Sequence, residues 1–229
     1  MPPNKRAQKE KLYSLFAQIA NAMANPHRLE LLDLLAQAPR TVEDLASEAQ
    51  MSVANTSQHL QRLKQARLVL AEREGVYIRY RLADPAVGEL WLNLREVAAR
   101  QLAEVEQALD AYRTRRHEFE QISAETLLTR LRQNEVVLLD VRPEVEYAAG
   151  HLPAAISMPL EELQQRLADL PPDKTIVAYC RGPYCVYADE ALELLAAQGW
   201  SVARLEEGVW EWQRADYSPV SRLIKQGAS

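Results

Sequence analysis

The sequence predicts two domains of different fold class: a mainly helical domain with a β-hairpin, followed by an α/β domain with a parallel sheet. In the first half, apolar residues recur at helical spacing, as in KEKLYSLFAQIANAM. Two alternating runs, LAEREG and VYIRYRLA, then flank a Glu-Gly pair, which is a hairpin signal. The second half alternates short β-rich runs with helix-like stretches, the pattern of a parallel sheet covered by helices.

The domain boundary follows from this change of pattern. A chain of 229 residues fits two domains of ordinary size. We place the first domain at 1–116 and the second at 117–229, with a linker at about 113–123 in the charged stretch RTRRHEFEQIS. The pattern leaves open whether this linker is flexible or continues a helix.

Helix-start signals order the first domain. A first helix is expected over 8–24, and Pro26 lies near the start of the next, NPHRLELLDLLAQA. Thr41 with Asp44, and then Ser52, are the residue types that cap the next two helices. Asp84 before Pro85 predicts the start of a long helix that runs to about 115.

In the second domain, the strands VVLLDV, KTIVAY and SVARL are separated by helical stretches such as SAETLLTRLRQ and YADEALELLAAQG. This order predicts parallel strands joined by helical crossovers.

Charge and composition restrict the functional classes. Residues 1–116 carry 17 Lys and Arg against 14 Asp and Glu, whereas 117–229 carry 10 against 18. A basic half joined to an acidic one suggests a nucleic-acid-binding half. The polar start MPPNKRAQKE lacks an apolar signal-peptide stretch, and no run is long enough to span a membrane. We therefore expect a cytoplasmic protein without a membrane partner, in which two cysteines are reactive rather than structural.

The first domain is predicted to bind double-stranded operator DNA. Two short helices followed by a hairpin make a winged helix-turn-helix, whose second helix enters the major groove. That helix, VANTSQHLQR, offers short polar side chains before a basic stretch, and arginines of the hairpin can meet phosphates. The candidate DNA contacts are Val53, Ala54, Asn55, Thr56, Ser57, Gln58, His59, Arg62, Lys64, Arg73 and Arg79, with Arg81 beside them on the hairpin.

Residues 19–84, with these dispersed features, resemble the ArsR family of bacterial repressors. The resemblance implies a homodimer held by the first and last helices of the domain, at about 8–24 and 85–115, on an imperfect palindrome. It also implies base contacts by Val53, Ala54, Asn55, Ser57 and Gln58. The cysteine pair of the metal-sensing members has no counterpart in VEDLASEA, and the last helix contains no His. We therefore predict no metal site in this half and no cofactor.

The second domain is expected to carry a nucleophile at Cys180. A strand followed by a tight loop and a helix aims backbone N–H groups at one point, which stabilises a thiolate. Cys180 directly follows the strand KTIVAY, Gly182 lets the backbone curl, and Arg181 adds positive charge.

LLDVRPEVEYAAGHLPAAISMPLEEL, the loop CRGPYC and the closing LEEGVWEW resemble the rhodanese family of sulfurtransferases over about 122–215. The positions that carry the match are Asp140, Arg142, Glu146, Tyr147, Gly150, His151, Pro153, Pro159, Gly208 and Trp210. Ala154 and Glu207 stand where Gly is frequent in the family. We interpret Asp140 and His151 as residues that hold turns, in preference to direct chemistry.

The resemblance implies that Cys180 takes a sulfane sulfur, from a donor such as thiosulfate or polysulfide, as a persulfide. The cradle would be Arg181, Gly182, Pro183, Tyr184 and Cys185. Phosphatases and arsenate reductases on related folds need an Arg at the position of Val186, so sulfur chemistry is favoured over oxyanions.

Cys185 is the second thiol of the loop, five residues after Cys180. It can attack sulfur on Cys180 and close a disulfide, if the two Cα atoms lie ~4.4–6.8 Å apart. The sequence therefore predicts a DNA-binding regulator that senses or transfers sulfane sulfur. Two alternatives stay open: a turning-over sulfurtransferase with an auxiliary DNA-binding domain, and an arsenite- or soft-metal-responsive regulator that uses Cys180 and Cys185.

Overall fold

The structure, a computed structural model, describes residues 3–215. By its internal contacts, the chain divides into two compact units, Met1–Gln101 and Leu102–Ser229. Within the described residues, no helix is both long and apolar enough to cross a membrane.

The first unit consists of five helices and a small antiparallel sheet. In chain order its elements are α1 (Pro3–Met23), α2 (Pro26–Gln37), β1 (Arg40–Thr41), α3 (Val42–Glu48), α4 (Val53–Gln65), β2 (Val69–Glu74), β3 (Tyr77–Leu82) and α5 (Pro85–Gln101). The strand order is β1-β3-β2. The hairpin between β2 and β3 turns at Gly75, whose φ of 64° favours glycine. The predicted winged helix-turn-helix is confirmed.

The helix starts of this unit follow the predicted capping residues. Thr41 and Asp44 form a reciprocal capping box at α3, and the Ser52 side chain accepts a hydrogen bond from Asn55 N at α4. Asp84 accepts from Ala86 N at the start of α5, at 2.8 Å. These caps fix where α3 and α4 begin, while Leu31, Leu60, Leu63 and other buried side chains pack the helices against the sheet.

The second unit is a parallel sheet with helices around it, as predicted. Its elements are α6 (Ala103–Tyr112), β4 (Glu120–Ile122), α7 (Ala124–Arg132), β5 (Val136–Asp140), α8 (Glu144–Ala149), β6 (Ile156–Ser157), α9 (Leu160–Leu163), β7 (Thr175–Tyr179), α10 (Tyr187–Ala197), β8 (Val202–Leu205) and α11 (Val209–Arg214). The strand order β4-β8-β7-β5-β6 puts β7 in the middle of the sheet. Every pair is parallel, so the loops after β5, β7 and β8 leave the same edge.

Two helix predictions need correction. The first helix begins at Pro3 instead of residue 8. The long helix predicted over 85–115 is interrupted at Leu102, where φ is −115° and ψ is 101°, and continues as α6. No proline or glycine marks this interruption, so helical spacing alone gave no sign of it. The two units divide here, before the predicted linker at 113–123, because Arg113 at the end of α6 is buried within the second unit.

Candidate functional site

The exposed face of α4 carries most of the predicted DNA contacts. Val53 is 49% exposed, and Ala54, Asn55 and Gln58 are also exposed. The helix has no acidic residue and carries Arg62 and Lys64 in its last turn. An open depression on its surface is lined by Ser57, Gln58, Gln61, Arg62 and Gln65. Gln61 and Gln65 were not among the predicted contacts, although they follow Ser57 and Gln58 at helical spacing.

Thr56 does not belong to this face. Its side chain is fully buried, and its hydroxyl donates a hydrogen bond to Ser52 O at 3.0 Å. Predicting Thr56 as a DNA contact was therefore wrong, because its side chain points into the core of the unit.

His59 is half-buried and packs against another imidazole. Its ring lies 5.4 Å from that of His27, and burial together with the charges of His27, Arg28 and Arg62 lowers the pKa of His59. These groups therefore favour the neutral imidazole over the imidazolium. Contact of His59 with a base or a phosphate stays a prediction.

The hairpin arginines are already in surface contacts. Arg79 Nε lies 2.7 Å from Glu74, and Arg81 lies 2.6 Å from Glu72. Arg73 Nε donates to Gly75 O at 3.1 Å near the hairpin tip. Exposed ion pairs of this kind contribute only about 0–1 kcal/mol, so the guanidinium groups can exchange them for phosphates.

Two helices of the first unit expose apolar side chains. On α1, Leu12, Tyr13, Leu15 and Phe16 are 48–60% exposed. On α5, Leu90, Leu94 and Val97 are 41–57% exposed. Exposed large apolar groups clustered on one helix are typical of surfaces that bind another protein.

Cys180 lies directly after β7, in a loop that Gly182 allows to turn. The φ of Gly182 is 114°, and a Cβ there would lie 3.0 Å from the Glu211 carboxylate, so only glycine fits. Gly208 packs directly against the backbone of this loop, since a Cβ added at this position would lie 2.8 Å from the Arg181 carbonyl carbon. Cys180 is 1% exposed, so only small reagents can reach its sulfur without a movement of the loop.

The pKa values of the two thiols are shifted in opposite directions. Burial raises the pKa of Cys180, but the hydrogen bond with Cys185, the charges of Arg204 and Arg181 and the Ala188 N–H lower it to about 7. The hydrogen bond with Cys180 and burial raise the pKa of Cys185 well above its ordinary value. The arrangement thus favours a thiolate on Cys180 and a thiol on Cys185, and both cysteines are free.

Arg204 is the functional residue that the sequence prediction missed. It comes from β8, is fully buried, and its Nη2 lies 3.7 Å from Cys180 Sγ. The same nitrogen donates to Cys185 O at 2.9 Å, and Nη1 donates to Asp189 Oδ1 at 2.5 Å. A guanidinium therefore reaches the sulfur from the neighbouring strand, although Val186 in the loop supplies none.

Asp140 and Arg142 form a buried turn at the neighbouring strand end. Asp140 accepts from Arg142 Nε at 2.9 Å and from the Tyr179 hydroxyl, while Arg142 Nη2 donates to Gly150 O at 2.7 Å. His151 stacks on Tyr147 with ring centroids 3.9 Å apart. These contacts hold turns, in agreement with our interpretation of Asp140 and His151.

Arg181 is paired with a buried carboxylate. Its guanidinium makes two-nitrogen contact with Glu146, with Nη2 at 2.6 Å, and lies 5.0 Å from the centre of the Tyr187 ring.

Ala154, at a position where glycine is frequent in the family that this half resembles, has a φ of 62°. The loop architecture thus tolerates alanine there at some backbone strain.

Comparison with known proteins gives matches in both halves. The description "Bacterial regulatory protein, arsR family" matches residues 25–70, and "Rhodanese-like domain" matches residues 123–215. An HTH-type transcriptional regulator of Mycobacterium tuberculosis, Rv0324, is 43% identical over 91% of this chain and 91% of its own length. A sulfurtransferase of Allochromatium vinosum is 34% identical over 41% of this chain and 88% of its own length.

A solved structure is also similar to the first half. It is the homodimeric winged helix-turn-helix DNA-binding domain of Mb0332 from Mycobacterium bovis, which is 40% identical over 42% of this chain and 89% of that chain, with a TM-score of 0.40.

Proposed function

Because this chain belongs to the HTH-type transcriptional regulators, with an ArsR-family domain and a rhodanese-like domain, we propose that sulfur bound at Cys180 changes its affinity for operator DNA. The single observation that carries the proposal is the buried Cys180 site, with Arg204 3.7 Å from the sulfur and the Cys185 carbonyl oxygen 3.5 Å from it. The residues of this site lie in the second unit, whereas the α4 face with the predicted DNA contacts belongs to the first.

The DNA-binding part of the proposal is a homodimer. The exposed apolar side chains of α1 and α5 supply the interface, and the α4 face supplies the base contacts. A two-fold dimer would place its two α4 helices in successive major grooves, with half-sites about 34–36 Å apart. Its affinity would fall steeply with salt, because phosphate contacts release counterions.

Formation of the Cys180 persulfide needs no added oxidant. The Cys180 thiolate attacks the outer sulfur of thiosulfate, forms a Cys180 persulfide, and releases sulfite, which takes the electron pair of the broken S–S bond. With polysulfide the leaving group is the shortened polysulfide. The small size of both donors suits a sulfur that is 1% exposed.

Cys185 gives the site a second, reversible state. Its sulfur attacks Cys180 Sγ of the persulfide, the disulfide forms, and the outer sulfur leaves as hydrosulfide with the Cys185 proton. The contact of Cys180 Sγ with the Cys185 carbonyl oxygen, at 3.5 Å, supports this step, because it places Cys185 beside the reacting sulfur. A reducing thiol would return the loop to its starting state.

A second candidate function is sulfur transfer with turnover. It is favoured by the similarity to the Allochromatium vinosum sulfurtransferase over the second half. In this case the Cys180 persulfide passes its sulfur to cyanide or to an external thiol, and DNA affinity does not respond. Steady turnover with cyanide, at unchanged operator affinity, would favour this candidate.

The chemical part of the proposal is tested by mass spectrometry of the treated full-length chain. Polysulfide is expected to add one sulfur to Cys180 in Cys185→Ser, because this variant keeps the nucleophile and cannot resolve the persulfide. Cys180→Ser is expected to carry none. Sulfur on Cys180→Ser at the same level would contradict the assignment of the nucleophile.

A further inference from the structure

Arg113 is buried beside the cysteine loop although it precedes the rhodanese match, which begins at residue 123. Its side chain is fully buried at the end of α6. Nε and Nη2 bind both carboxylate oxygens of Asp189, at 2.6 and 3.0 Å, and Nη1 and Nη2 bind those of Glu206, at 3.0 and 3.1 Å. Nη1 also donates to Pro183 O of the cysteine loop at 2.6 Å.

The partners of Arg113 are also the partners of Arg204. Asp189 Oδ1 accepts from Arg204 Nη1 at 2.5 Å, and Glu206 Oε1 lies 3.2 Å from Arg204 Nε. Arg204 in turn contacts Cys180 Sγ. Two guanidinium groups thus share two carboxylates, and one guanidinium reaches the reacting sulfur while the other reaches the backbone of the loop.

We propose that Arg113 is a positioning residue for Cys180, which completes the sulfur site from the segment that leads in from the DNA-binding unit. The inference rests on the proposed function, since it concerns the same sulfur. The sulfur site and the end of α6 would therefore depend on each other. A change of the loop at Pro183 would alter the contacts of Arg113, and a shift of Arg113 would equally alter the loop.

Charge balance explains why Arg113 matters for the sulfur. Burial lowers the pKa of Arg113, but its hydrogen bonds to Asp189 and Glu206 raise it by more, so the guanidinium stays charged. Without Arg113, both carboxylates would face Arg204 alone. They would draw that guanidinium away from Sγ and leave uncompensated negative charge near the thiolate, which disfavours the ionised sulfur.

Charged and titratable groups surround the thiol on every packed element. They are Cys185 and Arg181 in the loop, Arg204 and Glu206 in and after β8, Asp189 on α10, Glu211 on α11, and Glu146 on α8. Arg113 binds Asp189 and Glu206 of this set, so its replacement removes one positive charge beside them while every group of the set stays in place.

The experiment is a pH titration of thiolate absorbance in the full-length chain, with the Cys180→Ser titration subtracted. It needs neither a sulfur donor nor DNA, and no reagent has to reach the buried sulfur. Wild type is expected to titrate at about pH 7. Arg113→Met is expected to titrate about 1 pH unit higher, and Arg113→Lys between the two, because it keeps the charge and loses the two-nitrogen contacts.

Arg115→Gln is the matched control, since Arg115 is exposed and pairs with Glu118 and Glu193; it should titrate as wild type. If folded Arg113→Met and Arg113→Lys both titrate as wild type, the inference is wrong. If Arg113→Met does not fold, Arg113→Lys decides: an unchanged midpoint overturns the inference, and a raised one supports it. If polysulfide left the operator affinity unchanged, the proposed function would be wrong, whereas the result of this titration would still stand.

Discussion

The recognition face of α4 is exposed and comes from one helix, whereas the cysteine site is buried and assembled from β7, β8, α10 and the end of α6. On α4, neutral amides and hydroxyls stand in water with two cations at the end of the helix. Around Cys180, the charged side chains of Arg113, Arg204, Asp189 and Glu206 neutralise one another, and only Glu206 among them is partly exposed.

The difference teaches where substitutions act. An exposed side chain of α4 such as Gln58 can be shortened with the loss of its own DNA contact alone, because it takes no part in the core of the unit. A charge near Cys180 cannot be removed in the same way, because its partner is left buried and unpaired. Binding and sensing should therefore respond to different substitutions.

Gln58→Ala is expected to have the larger effect of two substitutions that separate these regions. Gln58 is exposed on the α4 face, and a lost base contact costs about 1–3 kcal/mol, or roughly 5–150-fold in operator affinity. Unfolding and sulfur loading should be unchanged. Gln133→Ala, an exposed glutamine of the second unit, is the control.

A gel shift measures this affinity, and a footprint on the same operator tests the dimer by showing two protected half-sites. Equal affinity of Gln58→Ala and wild type for operator, at several salt concentrations, would remove Gln58 from the recognition face.

Arg204→Met is expected to have a smaller effect, confined to the buried site. Removal of the cation 3.7 Å from the sulfur raises the pKa of Cys180 above about 7, so less thiolate is present at neutral pH. Persulfide formation at neutral pH should slow about tenfold per pH unit of this shift and recover in alkaline solution.

The measurement is the rate of sulfur loading against pH, with Arg130→Met as the control, since Arg130 pairs with Glu120 at the surface. A rate that is low at every pH, without alkaline recovery, would show that Arg204 does not act through the ionisation of Cys180.

Local sequence signals were sufficient for most of the fold. The capping residues Thr41, Ser52 and Asp84 mark real helix starts, because a cap is an interaction between close neighbours in sequence. Even the error at Thr56 was avoidable, since it precedes the buried Leu60 by one helical turn and so shares its face.

The cysteine site was only half predictable. Cys180 and Gly182 lie together in a loop whose shape follows from the strand before it and the helix after it. Arg204 and Arg113 reach the site from distant segments, which no local pattern reports. An arginine inside the apolar strand VARL was a signal that could have been used, whereas Arg113 lies in RTRR, a stretch that looks like a solvated linker.

The most direct test of the account is the operator affinity of the full-length chain before and after polysulfide treatment, with the Cys180 persulfide and the Cys180–Cys185 disulfide both measured in the same samples. Wild type is expected to change its affinity roughly 5–150-fold, which corresponds to a coupling free energy of about 1–3 kcal/mol. Cys180→Ser should bind DNA equally well with and without treatment. Wild-type chain in which Cys180 has reacted, to the persulfide or to the disulfide with Cys185, and which still binds operator with unchanged affinity, would contradict the claim that this site controls DNA binding.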